Sequence, residues 1–156
     1  MAAQMTYGYK TPSGVPGLIY DIAPYEANSK VSESNDGVIE FGFGVVEGTS
    51  KAYGVKLPAA STDKFVGVVV EKAHEQDASG KVTIAKGEAF SVMRFGGIWA
   101  KVDPAVTIVP GEAAYLICSG DNAGRFTNVS TDNIAVSGKF VTANEDGIAV
   151  LRLFNA

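Results

Sequence analysis

The sequence predicts an all-β protein: a compact antiparallel β-barrel or sandwich preceded by an extended N-terminal arm. Three observations carry this reading. Eighteen of the 156 residues are glycine, above the usual share of about 7%, and glycine is disfavoured in helix interiors while turns and bulges use it. From Gly37 onward, short runs rich in valine, isoleucine and phenylalanine are broken by turn residues at the spacing of a sandwich or barrel. No segment of twelve or more residues sustains a 3.6-residue apolar period, so at most one helical turn is expected, within Pro58 to Lys64.

Residues 1–36 read as the arm and 37–156 as the body. The arm carries Pro12, Pro16 and Pro24 among Gly8, Gly14 and Gly17, with no alternating or helical period. Proline removes ladder donors and glycine raises the entropy cost of ordering, so the segment has little means of folding on itself. It nevertheless holds Tyr7, Tyr9, Leu18, Ile19, Tyr20 and Tyr25. A disordered tail is usually poor in aromatics, so these six side chains are expected to dock on a partner. The arm is therefore expected to add little to the stability of the body.

In the body the expected strands, in order, are Val38 to Val46, Phe65 to Glu71, Lys81 to Lys86, Ala89 to Phe95, Ile98 to Val102, Ala113 to Cys118, Arg125 to Asn128, Ile134 to Val141 and Ile148 to Phe154. Gly96-Gly97 supplies two residues able to take positive φ, which predicts a hairpin joining Ala89–Phe95 to Ile98–Val102. Further turns are expected at Asp77 to Gly80, Pro110-Gly111, Ser119 to Gly124 and Asn144 to Gly147. In the last strand Leu151 and Leu153 share the core face, and Arg152 points the other way.

Composition excludes several functions. A formal charge of −4 opposes nucleic-acid binding, which needs clustered cations. No window approaches the ~20 apolar residues of a membrane span, and the N-terminus lacks the basic start and apolar stretch of a signal peptide, so a cytoplasmic origin is expected. Cys118 is the single cysteine, set in an apolar run and expected to be a buried, inert thiol. His74 is the single histidine and reads as a solvated turn residue.

The remaining candidates for chemistry favour ordinary structure. The segment Gly42 to Gly48 has GxGxxxG spacing without a following lysine-serine pair, so glycine kinks in a strand explain it better than a phosphate loop. Asp121-Asn122 and Asn144-Glu145-Asp146 offer oxygen ligands for Ca²⁺ but match hairpin tips better. Trp99 is either core filler, the favoured reading, or an exposed anchor. No catalytic constellation and no cofactor or metal site is expected.

Read in order, Gln4-Met5-Thr6-Tyr7-Gly8-Tyr9, Gly14-Val15-Pro16-Gly17, Tyr20-Asp21, Gly42-Phe43-Gly44 and Lys64 to Val69 lead through Val109 to Leu116, Gly124 to Thr127 and Gly147 to Leu153. This succession, covering nearly the whole chain, resembles the structural cement (decoration) proteins of tailed bacteriophages. The resemblance implies a non-enzymatic virion component with a barrel-like or tulip-like body, commonly a homotrimer, on the outer surface of an HK97-type shell. It also implies an arm laid across neighbouring subunits of the major capsid protein. The alternative is a small glycan- or ligand-binding β module on a virion or cell surface, using loop Asp and Asn residues and Trp99.

Overall fold

Runs that alternate or concentrate apolar side chains do form strands, but two further strands are held by pairing alone. The computed structural model describes residues 14–72, 82 and 84–154. Its nine strands are β1 (Glu26–Ser32), β2 (Gly44–Glu47), β3 (Gly54–Lys56), β4 (Phe65–Val69), β5 (Ala89–Lys101), β6 (Ala113–Leu116), β7 (Phe126–Thr127), β8 (Ile134–Phe140) and β9 (Ile148–Leu153). The fold is all-β, as expected.

Pairing runs β1-β3-β2-β4-β5-β9-β8-β6-β7, and β1 also pairs with β5. That extra pairing closes β1, β3, β2, β4 and β5 into a ring. All neighbours are antiparallel except β1 and β3. The remaining strands extend from the far half of β5, whose residues 96–101 pair with β9. A parallel bridge from Val102 to Phe126 returns β7 to the end of β5. One strand therefore serves both halves of the molecule.

Gly96-Gly97 is the point of transfer, which corrects the expected hairpin. Ala89 to Lys101 is one continuous strand, its first half paired with β1 and β4 and its second with β9. Gly96 has φ of +114° and a Cβ there would lie 2.6 Å from the Tyr25 Cβ. Both glycine properties are used: the left-handed backbone redirects the strand, and the missing side chain admits the crossing N-terminal segment.

Other corrections have equally local causes. Strand structure in the Val38 to Val46 run begins only at Gly44, because Gly42 turns the chain with φ of +79°. Ile84 is buried but lies in no strand, and the rest of the expected Lys81–Lys86 strand falls partly outside the described residues. So do His74 and the Asp77–Gly80 turn. Pro58 to Lys64 holds no helix. It forms a turn in which the Asp63 carboxylate accepts the Ala59 and Ala60 N–H groups.

Two clusters make the core. The ring strands supply Val45, Val55, Val69, Phe90 and Val92, joined by Ile39 and Ile84. The larger cluster joins Val46, Val68 and Met93 to Ile98, Leu116, Phe126, Phe140, Leu151 and Leu153. Phe126 meets Phe65 edge-on, with centroids 6.1 Å apart. Cys118 is buried, as expected, and its thiol donates to the Asp132 carbonyl. In β9, Ile148 and Val150 are buried along with Leu151 and Leu153, so both faces of this strand are covered.

Candidate interaction surface

The segment that precedes β1 is the most apolar exposed part of the described chain, and its backbone explains how it stays exposed. Gly17 N–H donates to the Trp99 carbonyl, Trp99 N–H to the Leu18 carbonyl, and Tyr20 N–H to the Gly97 carbonyl. Ile19 forms an isolated bridge with Ile98. On its other side Gly17 accepts from the Glu71 N–H at 2.9 Å. The segment thus lies along β5 with its ladder groups satisfied.

Glycine makes the approach possible. Gly17 has φ of +83°, and a Cβ on it would stand 2.6 Å from the Glu71 nitrogen. Gly14 lies flat on the Trp99 indole, where a Cβ would be 2.6 Å from Cδ1. The indole is half-buried beneath this segment and also meets Tyr20 edge-on at 6.0 Å. Trp99 is therefore a platform for the segment, between the two roles the sequence left open.

With the backbone fixed, the side chains divide. Ile19 turns inward against the larger core cluster. Val15, Leu18, Tyr20, Ile22 and Tyr25 remain exposed, Ile22 fully so. Asp21, between them, receives the Arg152 guanidinium at 2.5 Å. That pair neutralises the main charge of the strip and ties it to β9. Of the six side chains expected to dock, Leu18, Ile19, Tyr20 and Tyr25 are placed together here; Tyr7 and Tyr9 lie outside the described residues. Val15, beside Pro16, and Ile22, between Asp21 and Ala23, join them and were missed, since neither belongs to a run whose pattern marks it for contact.

The loops considered for metal binding serve the fold. Asn144 accepts the Ile108 N–H and donates to the Val106 carbonyl, while Asp146 takes the left-handed turn position with φ of +53°. Among the described residues no group of three or more His, Cys, Asp or Glu side chains is placed to hold a metal ion. The strip leaves five large apolar side chains exposed on a backbone fixed to the body.

Comparison with known proteins gives the family and the fold. The family model described as structural cement protein (E217 gp24/Pam3 gp6) matches residues 3–154. Among solved structures, a chain of the capsid of Myoviridae Phage XM1 is similar over 98% of both chains, with a TM-score of 0.72 and 19% identity. That likeness shows a shared fold. No curated protein sequence matches.

Proposed function

Because the chain belongs to the phage structural cement protein family, a virion component with a structural role, we propose that it clamps the outer surface of an HK97-type shell by bridging neighbouring capsomers. Its partner is the major capsid protein, and it acts as a homotrimer. The observation that carries this reading is the strip Val15, Leu18, Tyr20, Ile22 and Tyr25, whose backbone is tied to the body while its side chains face outward. Tyr7 and Tyr9, outside the described residues, are proposed to add to the same contact, and Ile19 seats the strip on the core.

The physical logic is one of many modest contacts. Fully burying a leucine- or isoleucine-sized side chain contributes about 1.5–3 kcal/mol, and this strip still exposes a large part of five. Outward pressure separates capsomers at their boundaries, so a clamp spanning a boundary resists it best. Linked copies on one shell then gain avidity without any single strong contact.

Co-sedimentation with intact capsids tests the proposal. The full chain should pellet with capsids, and the double variant Leu18→Asp/Ile22→Asp should stay in the supernatant while melting at the same temperature. A variant retained as well as the parent would sink the strip's role. Light scattering on the free chain tests the trimer, which a monomeric mass at high concentration would contradict.

A further inference from the structure

We propose that a basic cleft on the ring receives an acidic segment of the capsid shell, one whose carboxylates flank an apolar side chain. This rests on the cement reading above and names the chemistry of a second contact. The cleft has a volume of about 370 Å³ and its charged lining is Lys30, Lys51, Lys64 and Arg94 against the single carboxylate of Glu47. With Glu26, the ion-pair partner of Arg94, counted as well, the site carries a net of +2 on a chain of −4, leaving −6 over everything else. Its apolar floor is Phe65, Val66 and Phe154, with Phe154 43% exposed.

The strands explain why the cations converge. Lys30 on β1 is anchored by donating to the Ala52 carbonyl at 3.0 Å, which brings the loop bearing Lys51 to the cleft. Lys64 stands just before β4 and pairs with Glu47 on β2 at 3.1 Å. Arg94 on β5 reaches Glu26 at 3.6 Å, beside the β1 bulge that follows Tyr25. Through Glu26, the residue after Tyr25, the edge of the cleft is tied to the end of the segment that carries the apolar strip.

Charge complementarity selects the occupant. A lining in which cations outnumber carboxylates attracts an incoming carboxylate. A nucleic-acid strand fits worse, since Glu47 stands among the cations and opposes a continuous row of phosphates. The floor of two phenylalanines and a valine accepts an apolar side chain between the carboxylates, and the volume matches a short segment.

The test uses the full chain and a fluorescein-labelled Glu-Glu-Phe-Glu-Glu peptide, read by fluorescence anisotropy at low ionic strength. The peptide should bind, weaken with added salt, and bind about tenfold or more weakly to Lys51→Glu/Lys64→Glu. Both lysines are exposed; if the reversal disturbs folding, Lys51→Gln/Lys64→Gln gives the same reading with a smaller loss. Equal binding by parent and variant, equal binding of Gln-Gln-Phe-Gln-Gln, or tighter binding of single-stranded oligothymidylate overturns the proposal. So does a fall in the chain's mass by light scattering when peptide is added, which would make a second copy the occupant. The same variants are spun with capsids. If the parent pellets and the variants pellet equally, the cleft inference fails while the cement reading stands. A parent chain that stays in the supernatant overturns the cement reading, and the peptide measurement then decides whether the cleft takes acidic segments.

Discussion

Several carboxylates of this protein hold loops by accepting backbone N–H groups, Glu33, Asp63 and Glu112 among them. Glu33, just after β1, accepts from Ser50 at 2.9 Å and from Thr49 at 2.5 Å, pinning the β2–β3 loop. Its carboxylate occupies the space that a Cβ on Gly48 or Gly54 would fill, so both glycines serve one acid. Asp63 caps the 59–60 turn, and Glu112 accepts from the Val109 N–H and the Asn128 amide. In each case a backbone donor is the main cause holding the carboxyl below its ordinary value of 4.5 for Glu33 and Glu112 and 3.8 for Asp63: Ser50 for Glu33, Ala59 for Asp63 and Val109 for Glu112. A depressed folded value stabilises the fold fully above the unfolded value and is lost as pH falls through the folded one. Thermal melts should thus hold level from neutral pH to about 5 and decline below about 4.5. Glu33→Gln should melt a few degrees lower at pH 7, with a shallower acid decline. An unchanged acid limb in that variant would remove Glu33 from the account.

At the scale of elements, β5 shows both what was legible and what was not. Ala89–Phe95 and Ile98–Val102 are strands, and their apolar character marked them. Their connection was misread because a glycine pair reports permissive backbone without saying what the freedom is used for. Here it bends one strand between two sheets beneath Tyr25. Strand β1 was invisible for the opposite reason: Glu26-Ala27-Asn28-Ser29-Lys30 has no apolar alternation, and its order comes from ladder bonds offered on one side by β5 and on the other by β3. The same logic hid β3, three residues long. The strip was legible in part, since tyrosines and a Leu-Ile pair in a proline-rich segment have no local use, whereas Val15 and Ile22 carried no such signal. Gly96→Val tests the transfer point. A branched side chain there meets both a left-handed φ and the Tyr25 Cβ, so a loss of about 1–3 kcal/mol or more is expected in chemical denaturation. A variant as stable as the parent would mean that the bend tolerates ordinary backbone.

Across the whole molecule, the N-terminal region closes the ring as well as offering a surface. Residues 26–32 lie within the segment 1–36 expected to leave the body, yet they join β3 to β5 and complete the circuit of five strands. Upstream, residues 17–20 bond to β5 and Asp21 pairs with Arg152. Removing residues 1–36 therefore opens the ring. The facing edges of β3 and β5 lose their partner, and exposed edges invite pairing between chains. It also uncovers Trp99 and takes Glu33 from the loop it holds. The cluster of Val45, Val55, Val69, Phe90 and Val92 would then face water on the side β1 had closed. The truncated chain should melt on the order of 10 °C lower than the parent, or fail to fold, with size-exclusion chromatography reporting aggregated material. That loss would make its failure to pellet with capsids uninformative, and side-chain changes on the strip are the cleaner probe of contact. If the truncated chain kept the parent's melting temperature and stayed unaggregated, β1 would be an accessory to the ring, and the arm and body would be separable as first expected.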